Sequence, residues 1–173
     1  MIKRELVDRC QRGDISAFRT IYEQFEPALL RTALRMLGDR AEAEDAVQNT
    51  FIRLYRGIGR FQFRSSFDTY LYRILMNVCL DVIGRRQRLQ RLQWHPEQPV
   101  ISEQQEVRIT LEEAIGHLPE RMRACFILFA IEELPQTEIA AIMRISTGGV
   151  KSTIFQAKVR LRAFLSEHES KKP

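Results

Sequence analysis

Residues 136–161, QTEIAAIMRISTGGVKSTIFQAKVRL, contain two apolar stripes of helical period separated by a short polar break. Ile139, Ala140 and Ile142 fall on one side of the first stripe, and Val150, Ile154 and Leu161 on one side of the second. Apolar residues three and four apart mark helices with a single buried face. Helices joined by so few residues must cross closely, and Ala140 is small enough to allow it. The spacing predicts a helix-turn-helix, with Ile145 filling the turn and Ser146 or Thr147 capping the second helix. Lys151, Ser152, Thr153, Phe155, Gln156 and Lys158 then point outward, on the helix that enters the DNA major groove in this motif. The turn often contains glycine, but Arg144 stands at the corresponding position. A left-handed arginine there costs about 1–2 kcal/mol.

The two glycines that open the second helix, Gly148 and Gly149, have two readings. They remove bulk where backbone and DNA approach, so that free N–H groups and the positive helix end meet a phosphate. Alternatively, they relax the turn. The DNA reading makes Thr147, Gly148 and Gly149 candidates together with Lys151, Ser152, Thr153, Gln156 and Lys158.

Working outward, the period remains helical and no stretch alternates with period two. Residues 18–37 place Phe18, Ile21, Phe25, Leu29, Ala33 and Met36 on one stripe. Residues 43–55 do the same with Val47, Phe51 and Leu54, and residues 67–83 with Phe67, Leu71, Ile74, Val78 and Val82. Three such stripes can share one core. Asp39 followed by Glu42 reads as a helix start, and GIGRFQFRSS, residues 57–66, as a loop. In residues 92–103, LQWHPEQPVISE, two prolines interrupt any period, which predicts a linker. Beyond it, Thr110 and Glu113 form a capping box, and Pro119 sits in the first turn of a further helix. The fold class is therefore all-α. Two small helical domains, 1–91 and 107–169, flank a flexible linker, 92–106, and the second is a helix-turn-helix.

Composition excludes several classes. No apolar run approaches the roughly 18 residues that span a membrane, and the charged opening MIKRELVDRCQRGD predicts no signal peptide. The three cysteines, Cys10, Cys79 and Cys125, lack ligand spacing and read as reduced thiols of a cytoplasmic protein. His95, His117 and His168 have no ligand partners, so no metal or cofactor is expected. No Ser/His/Asp set or phosphate-cradling loop supports an enzyme. Glu44 and Asp45 are sequence neighbours on different helix faces, so the acidic group with Glu42 does not converge on one ion.

Charge is unevenly placed. Residues 1–93 have 17 Lys and Arg against 11 Asp and Glu, whereas residues 94–173 have 10 against 11. The excess peaks at Arg85, Arg86, Arg88 and Arg91. A polyanion partner accounts for this, and so does a solvated helix end favoured by the helix dipole. RFQFR next to TYLYR, within residues 60–73, interleaves aromatics with arginines. Holding one DNA strand single calls for such stacking platforms and cations, and an extruded base needs a pocket. Phe61 and Phe67 read as core, whereas Phe63 and Tyr70 fall off the apolar stripe and read as exposed.

AEDAVQNTFIRLYRGIGRF (43–61) with SSFDTYLYRILMNVCLDVIGRR (65–86) resembles the helical domain of bacterial RNA polymerase sigma factors of the extracytoplasmic-function group. LPERMRACFILFAIEELPQTEIAAIMRISTGGVKS (118–152) resembles that group's second domain, in the same order and at a similar distance. The resemblance implies that Asp45, Gln48 and Asn49 contact a coiled coil of core RNA polymerase, although the family commonly has glutamate at the position of Asn49. It implies that the 59–66 loop captures a flipped promoter base, with Phe61, Phe63, Arg64, Ser65 and Ser66 as candidates. Thr69, Tyr70, Arg73 and Asn77 would line the rest of the single-strand path, Tyr70 replacing the usual tryptophan. Arg85, Arg86 and Arg88 would grip the upstream duplex backbone. The slightly acidic linker would thread the polymerase interior, though its composition equally suits a solvated tether.

The resulting expectation is a non-catalytic transcription initiation factor that binds core RNA polymerase and promoter DNA, directs promoter choice and assists melting. It would be cytoplasmic, not inserted in a membrane, monomeric when free, and restrained by an anti-sigma factor. Each DNA site can be weak because tethering both to one polymerase multiplies their effect. The alternative, a free-standing helix-turn-helix regulator with a helical sensor domain, predicts specific DNA binding without polymerase. The sequence has no dimer seam to support it.

Overall fold

The computed structural model describes residues 4–92 and 111–169, with side chains described through residue 166. Among the described residues eight α-helices run in order: α1 (Arg4–Gln11), α2 (Ile15–Leu37), α3 (Arg40–Gly57), α4 (Phe67–Leu92), α5 (Leu111–Gly116), α6 (Glu120–Ala130), α7 (Gln136–Met143) and α8 (Thr147–Glu169). A 3-10 turn, Ile58–Arg60, follows α3. Among the described residues there is no strand. The linker at 92–106, except Leu92, and the Thr110 end of the capping box lie outside the described residues.

Local chemistry sets the helix ends. Asp14 caps α2 by accepting from the Ser16 and Ala17 N–H groups, and Gly38 ends it in the left-handed conformation at φ 72°, donating to Leu34 O. Asp39 caps α3 by accepting from Glu42 N, as its spacing predicts. Pro119 stands one position ahead of the helix, as the N-cap of α6.

The first unit packs α2, α3 and α4 around Ile21, Leu29, Met36, Leu54, Leu71 and Leu75, all fully buried. Phe61 and Phe67 are in this core, as predicted. Phe18, Ile74 and Val82 of the expected stripes are only half-buried at its margin. The second unit packs α6, α7 and α8 around Ile127, Leu128, Ile139, Val150 and Ile154.

The two units also pack on each other, which no helical period announces. α7 lies against α4, and α6 against both α2 and α4. Polar groups pin this face. Tyr72 Oη and Thr32 Oγ1 both donate to the Glu132 carboxylate, at 2.5 Å each. Arg123 Nη1 donates to Met36 O at 2.7 Å, and Arg35 pairs with Glu112 at 3.1 Å.

Candidate nucleic-acid interface

The loop between the 3-10 turn and α4 is built around three clustered rings. Phe61 lies against Tyr70 with ring centroids 4.7 Å apart and planes 27° from parallel, and against Phe63 at 4.8 Å. Phe63 adopts a left-handed backbone, φ 53°, an uncommon conformation for a bulky residue. The Arg4 guanidinium covers its ring at 4.5 Å. Gln11 of α1 holds the loop from below, its Nε2 donating to Ile58 O at 2.9 Å and to Phe61 O at 2.7 Å. A Cβ on Gly57 would lie 2.8 Å from Tyr70 Oη, so the close fit of the tyrosine requires glycine there.

These contacts correct the expectation that Phe63 and Tyr70 are exposed. Both are half-buried, because each offers one ring face to the cluster. Burial also raises the Tyr70 phenol above its ordinary pKa. Arg64 is exposed beside them. Ser66 caps α4, its Oγ accepting from Thr69 N at 3.0 Å. Thr69 is 1% exposed, which its sequence position did not suggest. Its Oγ1 donates to Glu138 of α7 at 2.5 Å, and Ser66 Oγ donates to the same oxygen at 3.3 Å. On the next turn Arg73 is half-buried, with its Nε unpartnered, while Asn77 is exposed. Ser65 Oγ donates to Ser66 O at 3.2 Å.

The three α4 arginines divide. Arg85 and Arg88 are exposed. They border an open groove with Asn49, Arg53, Val78 and Asp81. Arg86 is already engaged within the fold, donating to Leu37 O at 3.3 Å with both terminal nitrogens and pairing with Glu42. It ties α4 to the C-terminal end of α2, which corrects its placement among the free backbone-gripping cations. On α3, Asp45, Gln48 and Asn49 are all exposed, and Asn49 Nδ2 donates to Asp45 O at 2.9 Å.

The helix-turn-helix forms as its spacing predicts. Arg144 ends α7 in the left-handed conformation at φ 56°, ψ 46°. Ser146 caps α8, its Oγ accepting from Gly149 N at 3.0 Å. The two glycines differ. A Cβ on Gly149 would stand 3.3 Å from Ser146 Oγ, crowding the cap, whereas at Gly148 nothing lies closer than 4.0 Å. The Gly149 N–H is therefore used inside the chain. Thr147, Gly148, Lys151, Ser152 and Gln156 are exposed, and Phe155 on the same helix is 68% exposed. Thr153 is half-buried, and Lys158 leans back over the Phe129 ring at 5.1 Å. Val150, Ile154, Ala157 and Leu161 form the inner face.

The chain thus joins a three-helix unit with an aromatic and arginine loop to a helix-turn-helix unit. Residues 21–89 match Sigma-70 region 2 and residues 108–161 match Sigma-70 region 4. The RNA polymerase sigma-H factor of Pseudomonas aeruginosa is 31% identical, over 89% of this chain and 89% of its own length. The ECF RNA polymerase sigma factor SigW of Bacillus subtilis is 31% identical, over 96% of this chain and 98% of its own.

The chain belongs to the extracytoplasmic-function (ECF) RNA polymerase sigma factors.

Among solved structures, CnrH in complex with the cytosolic domain of CnrY is similar in fold, with TM-score 0.73, 24% identity and coverage of 95% of this chain and 97% of that one. The sigma factor RpoE of Bartonella quintana, in complex with the anti-sigma factor NepR, has TM-score 0.70 and 24% identity, over 86% and 96% of the two chains. This sigma factor is an initiation subunit that confers promoter specificity, not an enzyme. Among its described residues no helix is long and apolar enough to cross a membrane, and no group of three His, Cys, Asp or Glu side chains could hold a metal ion. The structure adds α1, which precedes the region 2 match and supplies Gln11 and Arg4 to the loop. No periodic signal connects residue 11 to residues 58 and 61, so sequence reasoning missed it.

Proposed function

We propose that this sigma factor binds core RNA polymerase through the exposed α3 face of Asp45, Gln48 and Asn49, and reads a promoter at two places. Lys151, Ser152 and Gln156 would meet base edges and phosphates of the upstream duplex element, and Phe155 would offer an apolar contact to thymine methyl groups. Arg64, Phe63, Tyr70, Arg73 and Asn77 would hold the unwound downstream strand, by stacking and by charge. Arg85 and Arg88 would add sequence-blind affinity for the duplex backbone. The observation that supports this reading best is the Phe61, Phe63 and Tyr70 ring cluster, with exposed Arg64 beside it, in the same chain as a helix-turn-helix.

The recognition helix exposes only moderate positive charge, which suits a reader that polymerase tethers to its site. The protein would act as a cytoplasmic monomer and be restrained by an anti-sigma partner, a reading supported by the similar RpoE, which is in complex with the anti-sigma factor NepR. A gel shift on forked, partly single-stranded DNA from a random library, with and without core polymerase, tests the reading. Selective retention only with polymerase is expected. Tight specific binding by the chain alone, unchanged by polymerase, would overturn it.

A further inference from the structure

One face of helix α1 is built onto the aromatic loop. Arg4, Val7 and Gln11 stand three and four residues apart and fall on one side of the helix. Val7 is fully buried, and Gln11 is bonded to Ile58 O and Phe61 O. With two points of that stripe fixed, the third side chain is delivered to the loop. The Arg4 guanidinium lies over the Phe63 ring, 4.5 Å from its centroid.

Arg4 is loosely held there. Its side chain is 75% exposed, and its ion-pair neighbour Asp8 stands at 4.0 Å. Among the described residues its guanidinium donates no hydrogen bond. A guanidinium carries five N–H donors in a planar fork that matches phosphate, so the donors of Arg4 remain available. Arg60 and Arg64, three residues before Phe63 and one after it, are exposed too, so the ring lies in a positive surface. Phe63 itself has φ 53°. Bulky residues rarely adopt that conformation, and outliers of this kind cluster at ligand clamps.

An unwound strand presents bases and phosphates together. Phe61 already meets the Phe63 ring at 4.8 Å, tilted by 56°. The face beneath Arg4 opens to solvent once that exposed side chain moves. A base and a guanidinium cannot both lie against it. A base stacked on an aromatic ring is held more strongly than a cation over an exposed ring. The base therefore takes the face, and the freed guanidinium gains a charge-assisted partner in a phosphate of the same strand.

We propose that Arg4 is a contact residue of the single-strand site. In the free chain its guanidinium holds the place of a base on Phe63. When a base arrives, the guanidinium moves to a phosphate of the captured strand. This inference rests on the reading of the aromatic loop as the site of the unwound strand.

The test uses the full-length chain assembled with core polymerase, as wild type, Arg4→Gln and Arg4→Lys. Arg4 is on the surface, so both variants should melt within about 4 °C of wild type. Fluorescence anisotropy across a salt series reads affinity for forked DNA retained from the random library. Fully duplex DNA containing only the upstream element is measured beside it. Arg4→Gln should weaken forked-DNA binding by about ten-fold. It should lower the magnitude of the log–log salt slope by roughly 0.7, the value for one single-strand phosphate. Duplex binding should not change. Arg4→Lys keeps the charge and should restore the slope, with affinity within about three-fold of wild type.

Removing bases from the forked strand one at a time, with the phosphates kept, locates the captured base. At that position wild type and Arg4→Gln should bind alike, because with no base to stack the guanidinium stays on Phe63. Unchanged forked-DNA binding in Arg4→Gln would overturn the inference. Weaker binding with an unchanged salt slope would do the same, since Arg4 would then act only by packing on Phe63. An equal loss on duplex DNA, or an Arg4 effect that survives at every abasic position, would overturn it as well. If wild type with core polymerase retains no forked DNA, the strand-site reading itself fails, and that result is seen before any variant is measured.

Discussion

Replacing Gln11 with alanine should unfasten the aromatic loop while leaving intact the exposed α3 face proposed to bind polymerase. Gln11 Nε2 donates two short hydrogen bonds, to Ile58 O and Phe61 O, at a part-buried position. Each such bond contributes about 1 kcal/mol net. Gln11→Ala removes both and leaves two carbonyls to find water, so a loss of about 2 kcal/mol is expected. For a chain of this size that lowers the melting midpoint by roughly 4–8 °C.

The functional loss should be larger than the stability loss suggests. Phe61 stacks on Tyr70 and meets the Phe63 ring at a tilt of 56°, and Phe63 has a left-handed backbone. Freed of the anchor, Phe63 should relax and the stacking platform should disperse. The assay is assembly with core polymerase followed by retention of forked DNA, set beside retention of fully duplex DNA containing the upstream element. Forked-DNA retention should fall by about ten-fold, on the scale of one base-stacking contact at about 1–3 kcal/mol, with polymerase binding unchanged. A variant that melts as wild type, or that loses duplex and forked DNA equally, would refute the anchoring argument.

Further outcomes follow from individual side chains. Arg88→Ala should lower the magnitude of the salt dependence of DNA binding by about one unit of log–log slope. Arg86→Ala should leave that slope unchanged and instead cost about 1–3 kcal/mol in urea unfolding, because its partners are Leu37 O and Glu42. Arg144→Gly should raise the urea midpoint, since relief of about 1–2 kcal/mol of left-handed strain outweighs the roughly 0.5–1 kcal/mol entropic cost of glycine. Asp68, whose folded pKa is raised by burial, favours folding only while protonated. Wild-type stability should therefore fall as pH rises from the ordinary carboxyl range through the raised folded value. Asp68→Asn should remove that slope and be more stable at neutral pH, measured by urea titration between pH 4 and 8.

The thiols give a chemical check on burial. Burial pushes Cys79 up to about 12 and Cys125 up to about 11, so at pH 8 both remain thiols and should resist alkylation until the chain unfolds. Labelling with iodoacetamide at pH 8, followed by peptide mass mapping, checks this, and rapid native modification of either would contradict the packing.

Much of the fold and part of the candidate interface were legible in the chain itself. A helical stripe needs only residues three or four apart, so Ile21, Phe25, Leu29 and Met36 announce their shared buried face. Ile139 and Val150 do the same for the helix-turn-helix. Asp39, Gly38 and Ser146 act on groups within a few residues, and their roles as helix ends are local chemistry. The exposed recognition-helix face follows from the same period. Gly148 and Gly149 were ambiguous as a pair, and packing separates them, because only Gly149 lies tight against its neighbours.

What the tertiary structure alone decided depends on partners far apart in sequence. Gln11 reaches residues 58 and 61, Arg86 reaches Leu37 and Glu42, and Glu132 and Glu138 reach Thr32, Ser66, Thr69 and Tyr72. None of these pairs leaves a periodic trace. Each is one polar side chain on a helix surface, and in sequence it looks the same whether it meets water, DNA or the other half of the chain. Periodicity therefore determined which helices form and which faces they bury. The docking of those helices decided which arginines are left exposed and which hydroxyls are already occupied, because that depends on how whole helices approach one another in space.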